Sequence, residues 1–273
     1  MVAWFTWPMS TEARWVASMP ETYDRCLGPA LFAPFAAHLA AMAEALSPER
    51  VLELAAGTGI VTAELVRRLP RARITATDLN PAMTAWARSQ VAGPTWQQAD
   101  AQQLPFDDNT FDLVVCQFGA MFFPDKRRAF AESARVLAPN GTALFAVWDV
   151  VEASRFASAA VDAVARVLPD DPPTFIVRVP HGYTDPAQIA ADLESSGLHG
   201  VCVERIVLTG RAPSARALAE GFCLGTPLRF ALEQRGDLER LTGAVADEMT
   251  SALGAGAVEG EMAAFIASGH GRP

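Results

Sequence analysis

Between Arg50 and Trp148, apolar runs of strand length alternate with segments of helical period, and no other feature limits the possible folds as much. Strands that alternate with helices pair in parallel, with helices laid over both faces of the sheet. The strand candidates are RVLEL (50–54), RITATD (73–78), TWQQAD (95–100), FDLVVCQ (111–117) and TALFAVW (142–148). Asn80 before Pro81 reads as the cap of one helix, and Asp125 as the cap of KRRAFAESARVL, which runs into a PNG turn at 139–141.

After Trp148 the pattern changes. SRFASAAVDAVARVL is helical, PDDPPTFIVRVPHGYTD is proline-rich and predicted to be irregular, PAQIAADLESSG is a helix stopped at Gly197, and VCVERIVL is a strand. From Ser214 to Leu253 the period is again helical, interrupted by GTP at 225–227 and by Gly236, and EMAAFIAS supplies a last strand. A long helical insertion between two late strands, together with a long N-terminal arm, predicts a cover over one edge of the sheet.

Composition excludes several functions. A net charge of −9 repels nucleic-acid phosphates, so no nucleic-acid partner is expected. The N-terminus lacks the basic start and apolar run of a secretory signal. The apolar window GPALFAPFAAHLAAMAEAL contains two prolines, His38 and Glu44, so it is read as an amphipathic helix entering after Pro34, with no membrane span. Cys26, Cys116, Cys202 and Cys223 are scattered with no C-x-x-C pair, which argues against a zinc site or a disulfide framework. No metal is expected, and the expected compartment is the cytoplasm.

The chemistry concentrates around VLELAAGTGIVT, a strand, a glycine turn and a helix start. A loop that wraps a pyrophosphate uses G-x-G-x-x-G, but here Thr62 stands at the third glycine position after Gly57 and Gly59. Asp78 ends the second strand, where a carboxylate can accept from ribose hydroxyls. Asp100 follows the third strand, able to accept from an adenine amino group, with the Ala101 N–H beside it. Glu53, Asp78 and Asp100 form an acidic floor, which suits a cationic cofactor and repels a pyrophosphate.

With VLELAAGTG, ITATDLNPAM, ADAQQLPFDDNTFDLVVCQFGAMFFPD, RVLAPNGTALFAVW and the upstream YDRCLGPALF, the chain resembles the class I S-adenosylmethionine-dependent methyltransferases. Within them it is similar to the ubiquinone and menaquinone biosynthesis branch. The resemblance implies a Rossmann-like α/β fold, a doubly wound seven-stranded sheet with its last strand antiparallel, and S-adenosylmethionine as cofactor. It also implies that Gly57 and Gly59 lie against the methionine part and Asp78 on the ribose. Leu79 and Met83 would sandwich the adenine, Asp100 and Ala101 would read its edge, and Gln117 and Phe118 would close over the cofactor. Ala55 departs from the family pattern, which has glycine there.

The expected organisation is an arm with helices covering the site (1–46), a cofactor-binding βα core (47–150) and the rest of the core with an irregular lid (151–208). A helical cap insertion (209–258) and a last strand and tail (259–273) follow. The acceptor is expected to be a small, largely apolar molecule. It would be enclosed by the arm, with Trp4, Phe5, Trp7, Trp15 and Tyr23, and by the cap, with Phe222, Leu224, Leu228 and Phe230. The same aromatics fit a plugged sheet edge or a homodimer contact equally well.

Tyr23 and His181 are the candidate catalytic groups, although a loop histidine with no catalytic task is the commoner case for His181. His38 is set aside as a surface or core histidine, and His199 and His270 as loop and tail residues. Tyr183 fits a pocket or a packed ring equally, Phe122 and Phe123 are candidate cavity walls, and Asp112 is structural. Two other readings use the same residues: an S-adenosylmethionine-binding protein of another reaction type such as a cyclase, and a nicotinamide-dependent oxidoreductase. Thr62 and the acidic floor weigh against the second.

Overall fold

The computed structural model describes residues 18–272. Trp4, Phe5, Trp7 and Trp15 of the arm therefore lie outside the described residues. Seven strands form one sheet: β1 (Arg50–Glu53), β2 (Arg73–Asp78), β3 (Thr95–Gln98), β4 (Phe111–Gln117), β5 (Leu137–Trp148), β6 (His199–Ala212) and β7 (Val258–His270). Their order is β3-β2-β1-β4-β5-β7-β6. Neighbours from β3 through β5 run parallel, and β7 is antiparallel to both β5 and β6, as the family resemblance implies. The strand order reverses between β1 and β4, and in open α/β sheets the ligand crevice lies at such a reversal, beyond the carboxyl ends of the strands.

The central parallel strands β1 and β4 are buried on both faces. Val51, Leu52, Leu113, Val114 and Val115 have no exposed surface. Their runs read as continuous apolar stretches because helices cover both sides. The helices α3 (Ile60–Arg68), α4 (Pro81–Gln90) and α5 (Lys126–Val136) connect the strands. Asn80 accepts from Ala82 N at 2.9 Å and Asp125 from Arg128 N at 3.0 Å, so both expected caps form.

Several boundaries moved for physical reasons. β3 stops at Gln98 because Asp100 accepts from the Gln102 N–H at 2.9 Å and turns the chain out of the sheet. β5 starts at Leu137, with the PNG turn absorbed as a bulge: Phe111 pairs with Leu137, and Leu113 next pairs with Thr142. β6 and β7 exceed their expected lengths because they pair with each other from Ala212↔Val258 to His199↔His270. His199 and His270 are thus strand residues rather than loop and tail, and His270 Nδ1 lies 3.2 Å from Thr142 Oγ1.

The N-terminal cover is α1 (Met19–Cys26), a π-helical turn (Gly28–Phe32) and α2 (Ala33–Leu46). Gly28–Leu46 is long and apolar enough to cross a membrane by length and composition alone. In the fold, Phe35, Ala36, Leu39, Ala40 and Ala43 of this stretch are wholly buried, and their burial stabilises the fold by about 1.5–3 kcal/mol for each large side chain. The second half of the chain adds α6 (Arg155–Val167), the short α7 (Phe175–Arg178) inside the segment expected to be irregular, and α8 (Pro186–Ser195). The cap is α9 (Ala215–Gly225), α10 (Leu228–Glu233) and α11 (Leu238–Leu253).

The cap docks on the N-terminal cover through Gly221 and Gly225. A Cβ at Gly225 would lie 2.7 Å from the Tyr23 backbone nitrogen, and one at Gly221 would lie 2.5 Å from the Leu27 side chain. Two helices meet this closely only where one presents no side chain.

Candidate active site

One cavity opens at the carboxyl ends of β1, β2 and β4. It is lined by Glu53, Ala55, Gly57, Asp78, Leu79, Met83, Asp100, Ala101, Gln117, Phe118, Tyr23 and His181, so all but one of the expected site residues meet there. Gly59 is the exception. It caps α3 with φ at 88°, and a Cβ there would press on Trp96, Ala87 and Val91 at 3.1–3.3 Å. Its task is to let α3 pack against α4 and β3, and it does not face the cavity.

Gly57 behaves differently. Its φ is 58°, and a Cβ built on it would meet no protein atom within 4 Å. The loop turns its bare backbone toward the cavity. Ala55 also takes a left-handed φ of 51°, which costs a non-glycine residue about 1–2 kcal/mol. The alanine in the family's glycine position therefore holds the glycine conformation under strain.

Asp78 organises the loop. Its Oδ2 accepts from Gly57 N at 2.9 Å and its Oδ1 from Asn80 N at 2.8 Å, which ties the glycine loop to the start of α4. Each oxygen keeps a lone pair for a ligand. Burial raises the Asp78 pKa, and the two backbone N–H groups oppose that rise.

Glu53 corrects the expected acidic floor. It is 2% exposed, and burial pushes it up to about 8 against the opposing Thr62 donors, the hydroxyl Oγ1 at 2.6 Å and the backbone N–H. At neutral pH Glu53 is therefore mostly protonated, and the floor is less acidic than its residues suggest. Thr62 was read only as a missing glycine; its hydroxyl holds Glu53 in place, a pairing visible only once the chain is folded. Thr77 adds a second brace by donating to the Glu53 carbonyl at 2.8 Å.

Two buried oxygens on the cavity wall, Thr58 Oγ1 and Gln117 Oε1, have no hydrogen-bond partner. Gln117 donates its amide to Phe32 O at 3.2 Å, which leaves the oxygen as the free end. Buried polar atoms normally find partners, so these two mark a polar ligand surface. An open glycine cradle, strand-end carboxylates and unpaired oxygens together fit a cofactor with an amino-acid tail and a ribose.

The opposite wall is apolar. Leu27, Leu31, Phe32, Phe122, Trp148, Phe156, Phe175, Ile176, Phe222 and Met262 line it. Phe118 stacks on Trp148 with centroids 3.6 Å apart and planes 4° from parallel, and Phe32 stacks on Tyr23 at 4.7 Å. Of the cap aromatics only Phe222 reaches the cavity; Phe230 does not line it. Tyr183 also stays outside: its hydroxyl donates to Asp192 at 2.9 Å and Lys126 Nζ sits over its ring. Asp112 is structural, accepting from the Glu49 and Arg50 backbone and from the Arg50 guanidinium.

Residues 52–145 match the model of a methyltransferase domain. With the sheet order and the cavity just described, the chain is similar over this stretch to the class I S-adenosylmethionine-dependent methyltransferases. Its cofactor half is similar to the ubiquinone and menaquinone branch: it is 42% identical over 108 residues to a demethylmenaquinone methyltransferase of Deinococcus radiodurans, covering 37% of this chain and 45% of that protein. A malonyl-[acyl-carrier protein] O-methyltransferase of Geobacter sulfurreducens is 41% identical over 110 residues, covering 39% of this chain and 41% of that protein. The chain thus spans less than half the length of either relative. The YcgJ protein of Bacillus subtilis shares the fold, with a TM-score of 0.55 at 22% identity over 86% of this chain and 99% of that one.

Proposed function

We propose that this chain transfers a methyl group from S-adenosylmethionine to a small, largely apolar molecule held beneath the N-terminal cover and the cap. The observation that supports this best is the split cavity, with a glycine cradle and carboxylates on one side and aromatic and aliphatic side chains on the other. When bound, the cofactor supplies an electrophilic methyl on a sulfonium.

On this reading Asp78 accepts from the ribose, Leu79 and Met83 flank the adenine, and Asp100 with the Ala101 N–H reads its edge. Thr58 Oγ1 and Gln117 Oε1 take polar hydrogens that the protein leaves unmatched. The apolar wall excludes water and orients the acceptor, and positioning of this kind can supply much of the rate without a covalent enzyme intermediate. The size and apolarity of the acceptor, and the cytoplasm as compartment, belong to this proposal.

Calorimetric titration with S-adenosylhomocysteine tests the cofactor assignment, and mass analysis for a gain of one methyl tests the transfer. Asp78→Ala should weaken S-adenosylhomocysteine binding about 10–150-fold, the equivalent of 1.5–3 kcal/mol for hydrogen bonds to a charged group. Undiminished affinity in that variant would remove the ribose assignment, and a product without an added methyl would favour the cyclase-type alternative.

A further inference from the structure

The apolar half of the cavity holds one imidazole. His181 is 8% exposed, lines the cavity, and lies with its ring centroid 6.0 Å from that of Trp148. Its Nδ1 is 2.6 Å from the backbone carbonyl oxygen of Asp149. A carbonyl oxygen only accepts, so Nδ1 carries the proton and Nε2 carries the lone pair. The tautomer of a proton acceptor is thus set by the backbone.

That backbone is held firmly. Asp149 N donates to Ala263 O of β7 at 3.1 Å, and its carboxylate accepts from Val150 N at 2.7 Å and from Arg205 Nε at 2.6 Å. On the other side, His181 N donates to Ile176 O at 3.2 Å. Gly182 lies so close to the Arg178 carbonyl that any side chain there would collide with it. Burial lowers the His181 pKa against the hydrogen bond to the Asp149 carbonyl and the charges of Glu152 and Asp149, which favours the neutral ring. The other ionisable groups on the cavity wall are Glu53, Asp78 and Asp100 on the floor, and Tyr23, whose hydroxyl burial holds well above its ordinary pKa.

An ammonium acceptor would need a counter-charge in the apolar half, and among the described residues the cavity wall includes no carboxylate beyond the floor. A weakly acidic hydroxyl on an apolar body needs only a neutral base. Resting on the methyltransferase reading, we infer that the acceptor is an apolar molecule bearing a phenolic or enolic hydroxyl, and that His181 Nε2 receives the hydroxyl proton as its oxygen is methylated. The oxygen forms its bond to the methyl carbon, the carbon–sulfur bond of the sulfonium donor breaks with its electron pair passing to sulfur, and the proton moves from oxygen to Nε2. The resulting imidazolium keeps its Nδ1–H on the Asp149 carbonyl and later returns the proton to water.

The test uses the full chain, its His181→Gln variant, and naphthol probes graded in acidity beside 2-naphthylmethylamine, which is an ammonium at neutral pH. In wild type, the naphthols should gain a methyl on oxygen and the amine should not. His181→Gln should lower kcat about 10²–10⁴-fold, the usual range for a general base, with a smaller change in KM and with S-adenosylhomocysteine affinity held within about threefold. The loss should shrink as the naphthol becomes more acidic, and the acid limb of the wild-type pH profile, below the ordinary imidazole range, should vanish. Independently of turnover, ¹⁵N NMR of histidine-labelled wild type should show the His181 proton on Nδ1.

A proton on Nε2, an acid limb retained in His181→Gln, methylation on ring carbon or amine instead of oxygen, or bound S-adenosylhomocysteine with no naphthol turnover would each overturn the inference while leaving the methyltransferase reading in place. Failure of wild type to bind S-adenosylhomocysteine would remove both.

Discussion

On the floor of the cavity, Glu53, Asp78 and Asp100 stand at or just beyond the ends of three strands, and their partners Gly57, Asn80, Thr62 and Gln102 lie within a few dozen residues of them. On the roof, Leu27, Phe32, Trp148, Phe175 and Phe222 arrive from the residue after α1, the π turn, β5, α7 and α9. The floor is therefore written in short motifs with polar residues at set spacings. The roof has no motif, because an apolar surface can be assembled from any large side chains that the fold brings together. The two halves should also fail differently, the floor by losing ligand affinity and the roof by losing packing.

Gly57→Val is expected to have the largest effect. It should weaken S-adenosylhomocysteine binding more than 100-fold while circular dichroism stays native, because its Cβ meets no protein atom and the φ of 58° strains a β-branched residue only within the loop. A variant that binds normally would show that the loop keeps its distance from the cofactor, and the contrast between floor and roof would lose its sharpest element.

Glu53→Gln separates charge from shape on the floor. The folded pKa of about 8 exceeds the ordinary 4.5, so the contribution of Glu53 to stability is complete below about pH 4.5 and is lost as pH rises toward 8. Wild type and variant should unfold together near pH 4.5, whereas near pH 8.5 the variant should be the more stable by roughly 1–3 kcal/mol. Denaturant titrations at the two pH values check this, and equal stability at both would mean that Glu53 is not desolvated as described.

Gly225→Ala probes the roof. The new methyl would sit 2.7 Å from Tyr23 N, so α9 and α1 must separate, at a cost of about 1–3 kcal/mol in stability. S-adenosylhomocysteine affinity should change by less than about threefold, since the floor contacts lie elsewhere; a larger loss would show that the two halves are not independent. The smallest effect belongs to Ala55→Gly, which relieves the left-handed strain at φ 51° at the expense of added freedom in the unfolded chain. A gain of up to about 1 kcal/mol is expected in thermal unfolding, with cofactor affinity unchanged.

How much was legible beforehand follows the same division. The strands, the caps at Asn80 and Asp125, and the three carboxylates depend on local periodicity and on residues next to strand ends, and all were readable. Gly59 is expected beside Gly57 against the cofactor, yet it lies off the cavity wall, because two glycines in one loop look alike until α4 and β3 pack against one of them. Thr62 was missed as the partner of Glu53 for a related reason: a hydroxyl nine residues from a carboxylate becomes its donor only when strand and helix are brought face to face.

By itself the sequence determined the order of strands and helices and the strand-end carboxylates and glycine loop that meet at one cavity, because each of these depends on interactions within a short stretch of chain. Only the tertiary structure decided that Glu53 is mostly protonated at neutral pH, that Tyr183 is a packed ring, that α1 and α9 join into one roof, and that His181 Nδ1 is engaged by the Asp149 carbonyl. Protonation and tautomer depend on burial and on partners far away in the chain, and these exist only after the sheet has closed its hydrogen bonds and the helices have covered it.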